Sequence, residues 1–199
     1  MKLSKSLYTR AIQCQKSLWL KKHNKDVLTP PNAAAQAIFQ NGNEVGDLAC
    51  KLFPNGVEIP YHNTTFQDKI NLTQEYINQG TQNIYEATFE FDGILIMIDI
   101  LNIKDNSVII NEVKSSTQVK DIYLHDASIQ YYVLNGLGYD VKKVNIIHIN
   151  NEYVRDEELD INQLFSIVDV TYEVKELQAN IKNNLEMFRK TLAKEDEPN

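Results

Sequence analysis

The segment from residue 83 to residue 114 constrains the fold of this chain more than any other. Three runs rich in isoleucine, valine, tyrosine and phenylalanine follow one another here: residues 83–91, 94–103 and 107–114. β-Branched and aromatic residues favour strands, and the interruptions Asp92-Gly93 and Lys104-Asp105-Asn106 have the composition of tight turns. Three strands joined in this way predict an antiparallel meander.

Helical patterns lie on both sides of the meander. Apolar residues at helical spacing predict helices at residues 3–23, 33–52, from Thr64 or Thr65 to Gly80, 119–135 and 171–194, with a further strand at 141–149. Pro30-Pro31 ends the first helix and Asn32 caps the second. This order predicts a mixed α/β fold. We expect one domain over residues 1–199, with a helical part (1–80), an α/β core (81–150) and a C-terminal helical part (151–199).

Composition limits the class of protein. A chain of 199 residues with 43% hydrophobic residues can bury one sizeable core. Its apolar runs are too short to span a bilayer, and its start, MKLSKSLYTR, lacks the apolar stretch of a secretory signal. Cys14 and Cys50 are too few for a disulfide framework. These features predict a cytoplasmic protein without membrane association.

Charge is unevenly distributed along the chain. The formal net charge is -7, yet seven of the 20 basic residues fall within residues 1–25, which contain no acidic residue. One interpretation is a basic arm that binds nucleic acid. The other is a helix with one solvated lysine face, and charge alone does not choose between them.

Ionisable side chains interrupt two of the predicted strands. Glu112 and Lys114 share one strand face because side chains alternate, and Asp99 lies in a strand that is apolar on both faces. If these strands pair, Asp99 and Glu112 approach each other. A divalent cation such as magnesium or manganese would relieve their repulsion, with Lys114 orienting a water molecule. An internal acid–lysine ion pair is the alternative, since a buried carboxylate needs a partner.

The ordered set Asp99, Glu112-Val113-Lys114 and Gln130-Tyr131 resembles the PD-(D/E)XK nuclease superfamily, in particular the RecB-like exonucleases with their CRISPR-associated branch. Four stretches are similar to a bacterial domain of unknown function that joins a RecB-like module to a DEDD-type exonuclease module. They are residues 8–20, 42–46, 84–89 and 125–131. The resemblance covers residues 3 to about 170. It implies a restriction-endonuclease-like core, with a mixed central sheet flanked by helices and residues 81–150 as the catalytic part.

The resemblance also implies roles for individual residues. Asp99, Glu112 and the backbone carbonyl of Val113 would be metal ligands, and Lys114 would be the catalytic lysine. Gln130 would lie near the metal or the DNA. The remaining candidates are additional metal ligands and nucleic-acid contacts: Glu86 and Glu44 for the metal, and Lys16, Lys21, Lys22 and Tyr131 for the nucleic acid. For Glu86, an ordinary polar strand face stays open as the alternative.

The activity that the resemblance implies is metal-dependent hydrolysis of DNA, exonuclease-like, on single strands or duplex ends, with Mg²⁺ or Mn²⁺. The alternatives are an inactive nuclease fold that binds nucleic acid or acts as a scaffold, and a nuclease that acts on RNA. A second copy of the chain or a missing C-terminal module could be a partner. Cys14 resembles a ligand of the iron–sulfur cluster found in one branch. Since such a cluster needs four thiolates and the chain has two cysteines, no cluster is expected.

Overall fold

A seven-stranded mixed sheet forms the centre of the protein in the computed structural model, which describes residues 2–104 and 107–198. The strands are β1 (Leu3–Ser4), β2 (Val57–Glu58), β3 (Asn83–Phe91), β4 (Ile94–Lys104), β5 (Ser107–Lys114), β6 (Asp140–Ile149) and β7 (Phe165–Asp169). Their order is β2-β3-β4-β5-β6-β7, with β1 beside β4. Strands β3, β4 and β5 pair antiparallel, which confirms the meander. Asp105 and Asn106 of the second predicted turn lie outside the described residues.

Seven α-helices flank the sheet in the described part of the chain. They are α1 (Lys5–Gln13), α2 (Gln15–His23), α3 (Ala33–Cys50), α4 (Phe66–Asn78), α5 (Asp121–Gly136), α6 (Ile161–Leu164) and α7 (Thr171–Leu192). Strands β5 and β6 are parallel, and α5 makes the crossover that a parallel pair requires. The mixed α/β prediction is confirmed, and the architecture is consistent with a restriction-endonuclease-like core.

Two apolar cores lie on opposite faces of the sheet. The larger core joins the sheet to α1, α4, α5 and α7, and the smaller core joins it to α3. Ile146 belongs to the larger core and Ile147 to the smaller one, as expected for successive residues of a strand. Helix α3 therefore covers the sheet face opposite α5.

The predicted helix over residues 3–23 is wrong in two places. Leu3 and Ser4 form β1, which pairs parallel with Ile94 and Leu95 of β4. Cys14 is extended (φ −163°), so it ends α1, and its sulfur caps α2 by accepting from the backbone N–H of Ser17 at 3.4 Å. Helical periodicity runs across both positions, which is why the sequence did not reveal them. The short strands β2 and β7 were missed for a similar reason, since two and five residues show little alternation.

Gly136 illustrates how closely α5 approaches the meander. A Cβ atom at Gly136 would overlap the ring of Phe91, whereas a Cβ at Gly42 in α3 would meet no atom within 4 Å. We expect Gly136→Ala to lower the free energy of unfolding by about 1 kcal/mol, because the overlap outweighs the helical preference for alanine. Gly42→Ala, the control, should raise it by roughly 0.5–1 kcal/mol. Chemical denaturation measures both, and equal effects would contradict this packing.

Candidate active site

The site lies where β4 and β5 separate. Their pairing register ends at Ile100 and Asn111, so the next residue on each strand, Asp99 and Glu112, stands at the opening. Beyond this point β5 remains paired with β6 alone. The backbone N–H of Val113, which no longer faces a paired residue of β4, donates to Asp99 Oδ2 at 2.7 Å. The separation thus leaves Asp99 and Glu112 at adjacent positions at the end of the hairpin, as expected if these two strands pair.

An interruption in the pairing of β3 with β4 adds a third carboxylate. Pairing is interrupted at Glu86 and Asp99, between the flanking pairs of the described ladder, and Glu86 has φ +57°. Ile84 and Ala87 both reach the larger core, although residues three apart in a regular strand point to opposite faces. A non-glycine residue in this left-handed region costs on the order of 1–3 kcal/mol. Glu86, Asp99 and Glu112 consequently occupy neighbouring positions on three adjacent strands.

An acidic cavity of about 900 Å³ lies between α3 and the sheet. Its ionisable lining includes five carboxylates and one amine: Asp47, Glu58, Glu86, Asp99, Glu112 and Lys114. Burial, followed by the charges of Asp47 and Asp99, raises the pKa of the Cys50 thiol in this cavity to about 12. The negative field of the cavity therefore favours a bound cation.

Glu112 is the centre of a buried ion network. Its side chain is 2% exposed. Lys5 Nζ lies 2.9 Å from both of its oxygens, Lys114 Nζ lies 2.6 Å from Oε1, and Gln130 Nε2 donates to Oε2 at 2.7 Å. Asp126 accepts from Lys114 at 2.5 Å. The internal ion pair between Glu112 and Lys114, one of the two interpretations of the sequence, is thus present. It belongs to a larger network that also contains Lys5, Asp126 and Gln130.

The neighbouring charges move the pKa values of the two central acids in opposite directions. Burial alone would raise the pKa of Glu112, but Lys114 and Lys5 outweigh burial, so this pKa is well below its usual range. Burial, and then the charge of Glu112, raises the pKa of Asp99 to about 7. Burial also raises the pKa of Glu86. Glu112 is therefore ionised at neutral pH, while Asp99 without an added cation is only partly ionised.

The donor set suits a hard cation in its chemistry. No group of three or more His, Cys, Asp or Glu side chains within residues 2–104 and 107–198 is arranged to hold an ion by itself. Magnesium, however, binds through one or two carboxylates and fills its shell with water and substrate phosphate. Asp99 and Glu112 meet that requirement if Glu112 exchanges part of its lysine contact for the ion. Two buried oxygens nearby, Asp126 Oδ1 and Gln130 Oε1, have no hydrogen-bond partner among the described residues.

The structure places most of the sequence candidates in or near this network. Gln130 is fully buried in the network, and Val113 lines the cavity together with Glu86. Glu44 is exposed and accepts from Gln40 at 3.0 Å, and the acid of α3 that lines the cavity is Asp47.

The predicted nucleic-acid contacts lie elsewhere. Lys16, Lys21 and Lys22 are exposed on α2, and Lys16 pairs with Glu197 at 2.7 Å. Tyr131 is half-buried against the larger core. Cys14 is exposed at the junction of α1 and α2, whereas Cys50 lines the cavity. The role of these residues in binding stays a prediction.

Lys5 and Asp126 are the two residues of the ion network around Glu112 that the sequence did not identify. Asp126 precedes Gln130 by four residues on α5, and this spacing places both on one helix face. That spacing was a usable signal. No sequence signal pointed to Lys5, because its helix is more than 100 residues away along the chain from Glu112.

Known proteins give little further information. No family model matches the chain, and no curated protein matches it. A solved structure described as SSO0001 shares 11% identity over 94% of this chain and 76% of its own, with a TM-score of 0.39. A phage-related exonuclease from Haemophilus somnus 129PT shares 13% identity over 96% of this chain and 93% of its own, with a TM-score of 0.44. Similarities this distant assign no activity.

None of the helices within 2–104 and 107–198 has the length and apolar character needed to cross a membrane.

The raised pKa of Asp99 predicts how stability depends on pH. Its folded-state pKa of about 7 lies above the ordinary 3.8, so the stability of the metal-free protein falls as pH rises between these values. Asp99→Asn removes the ionisable group, and with it this pH-dependent loss of stability, while its side-chain amide oxygen can still accept from Val113 N–H. Because a tenfold change in acid dissociation corresponds to about 1.4 kcal/mol, the variant should be roughly 1–3 kcal/mol more stable above pH 7.

Thermal and chemical unfolding in EDTA between pH 4 and pH 8.5 would measure this difference. The gain should shrink as the pH falls towards 4, because the folded Asp99 carboxyl is then protonated and neutral, like asparagine. Asp156→Asn, at an exposed position outside the site, serves as the control and should show no such trend. A pH-independent difference between Asp99→Asn and the wild type would contradict the assignment.

Proposed function

We propose that this chain is a metal-dependent nuclease that hydrolyses DNA phosphodiester bonds at Asp99, Glu112 and Lys114. The observation that carries the proposal is the placement of these side chains in one acidic cavity at the point where β4 and β5 separate. The order of the same residues in the chain resembles the PD-(D/E)XK nucleases. The order of these residues in the chain and their arrangement in space thus support the same chemistry.

Asp99, Glu112 and the carbonyl of Val113 would hold the ion, with Glu86 as an additional carboxylate. A bound Mg²⁺ or Mn²⁺ supplies Lewis acidity, which stabilises the negative charge that develops on a phosphate during hydrolysis. The cation also offsets the acidic lining, which would otherwise repel a phosphate backbone. We therefore expect DNA to enter the cavity only when the divalent ion is present.

Lys114 acts as a donor in this proposal. Burial alone would lower its pKa, but the carboxylates of Glu112 and Asp126 outweigh burial and raise it. In the metal-free protein the amine donates to both of these carboxylates, and we propose that it orients the attacking water or contacts the phosphate. Gln130 donates to Glu112 Oε2 and so positions that carboxylate. Lys16, Lys21 and Lys22 are proposed to contact the nucleic acid outside the cavity.

A binding or scaffold module without catalysis is the second candidate. The observation in its favour is that Glu112 is already neutralised by Lys5 and Lys114. An internally neutralised site has no need of a divalent ion, whereas a nuclease site does. Binding of Mn²⁺ to the purified protein therefore discriminates between the two functions.

Cleavage of end-labelled single- and double-stranded DNA in Mg²⁺, Mn²⁺ or EDTA tests the nuclease. We expect metal-dependent cleavage that falls by about 100-fold or more in Asp99→Ala and Lys114→Ala, because each removes a group that acts on the reacting phosphate. The product ladder shows whether cleavage starts from ends. Lys142→Ala is the matched lysine control, since Lys142 pairs with Asp140 and lies on an exposed part of β6.

Each variant should keep the circular dichroism spectrum of the wild type, so that lost activity is not lost folding. Full activity in Asp99→Ala would show that Asp99 does not take part in catalysis and that the assigned site is wrong. Cleavage that persists in EDTA would show that the reaction does not need a divalent metal. Absence of cleavage with either metal would favour the binding module.

The open face of α3 provides a test of the cavity itself. Gly46 lines the cavity, and a Cβ at this position meets no atom within 4 Å. Gly46→Leu should project into the cavity and reduce cleavage at least tenfold, while leucine, a good helix former, keeps the stability. Ala37→Leu on the exposed part of the same helix is the control. Equal activity in the two variants would show that DNA does not use this cavity.

A further inference from the structure

Lys5 is held at the site by the pairing of β1 with β4. Leu3 is fully buried and donates its N–H to the carbonyl of Gly93 at 2.9 Å. Ser4 caps α1 by accepting from Leu7 N–H, so Lys5 is the first residue of the helix. The lysine is therefore positioned by the same strand, β4, that carries Asp99.

The contacts of Lys5 are directed at the candidate ligand. Its Nζ lies 2.9 Å from both oxygens of Glu112 and 3.7 Å from Asp126 Oδ1, and its side chain is 19% exposed. A cation at a helix N-terminus is opposed by the helix dipole, and α1 has no acidic residue in its first turn. The carboxylates of the site must therefore compensate for this placement of Lys5.

Glu112 has little remaining capacity for another cation. Lys5 donates to both of its oxygens, while Lys114 donates to Oε1 and Gln130 to Oε2. Gln130 is fully buried, and Lys114 is held by two carboxylates, at 2.6 Å from Glu112 and 2.5 Å from Asp126. Lys5 is held less firmly, because its contact with Asp126 is 3.7 Å long, and its flexible stem lets the amine leave without unfolding a strand.

We propose that Lys5 is an internal counter-ion, which occupies Glu112 in the metal-free protein and leaves it when a divalent cation binds. This inference rests on the proposed metal site. Binding of the ion and release of the Lys5 amine are then one coupled exchange of cations on the same two oxygens. The released amine is then free to contact a phosphate of the substrate.

The exchange has a measurable cost for metal affinity. If Lys5 occupies Glu112 for about 90% of the time, the apparent Kd of the ion is about tenfold higher than that of the open site. Removing the amine should therefore strengthen binding. A lysine that merely positions Glu112 predicts the opposite, because its removal would leave the carboxylate less ordered and weaken binding.

Titration with Mn²⁺, followed by electron paramagnetic resonance of the free ion, measures the affinity of the folded full chain. We expect Lys5→Met to lower the apparent Kd about tenfold. Lys5→Arg, which keeps the charge, should stay near the wild type. Lys2→Met is the matched control, because Lys2 pairs with Glu90 at the surface, with a side chain that is 73% exposed. The shift in melting temperature on adding Mn²⁺ should also be larger in Lys5→Met than in the wild type.

The outcomes separate this proposal from the proposed function. If the wild type binds Mn²⁺ and Asp99→Ala does not, the metal site stands. Unchanged or weaker binding in Lys5→Met then overturns the role of Lys5 alone. If neither the wild type nor Lys5→Met binds Mn²⁺, both proposals fail. If Mn²⁺ binds Lys5→Met but not the wild type, Lys5 blocks the site almost completely in the wild type, which supports the exchange.

A second measurement uses the wild type and does not depend on the folding of a variant. Brief acetylation followed by mass spectrometry reports how accessible each lysine amine is. We expect Lys5 to be protected in EDTA and to react several-fold faster in Mg²⁺, while Lys2 reacts equally in both. Equal protection of Lys5 with and without Mg²⁺ would overturn the exchange.

Discussion

The burial of the Glu112 carboxylate is the interaction on which the rest of the structure depends. An ionised carboxylate in this position would cost several kcal/mol without partners, and its partners come from three separate elements. Lys5 reaches it from α1, Lys114 from β5 and Gln130 from α5. The electrostatic requirement of one side chain thus joins the N-terminal segment, the meander and the crossover helix around a single point.

The same point is where the backbone departs from regularity. Strands β4 and β5 separate at Asp99 and Glu112, and β3 takes a left-handed conformation at Glu86. Both features expose carboxylates to the cavity and leave a hydrogen-bond donor of Val113 to be satisfied by Asp99. The left-handed conformation of Glu86 and the burial of Asp99 reduce stability, and the packing of the apolar cores offsets them. Such a concentration of unfavourable local features is typical of sites that bind or react.

Much of this arrangement was readable from the chain, for identifiable reasons. The meander followed from β-branched runs and short interruptions, and alternation placed Glu112 and Lys114 on one face. Lys5 and the break at Cys14 were not readable. Helical periodicity continues through Leu3, Ser4 and Cys14, so the pattern concealed both the short strand that positions Lys5 and the turn between α1 and α2.

The sequence by itself determined the fold class, the meander and the identity of Asp99, Glu112 and Lys114 as the unusual polar residues of the strands. These are local properties, set by residue type and by a spacing of two along a strand. Only the tertiary structure decided which cations contact Glu112, that Glu86 takes a left-handed conformation, and that α3 and the sheet enclose an acidic cavity. These depend on contacts between residues far apart in the chain, and such contacts are set by packing and charge compensation, which leave no periodic signal in the sequence.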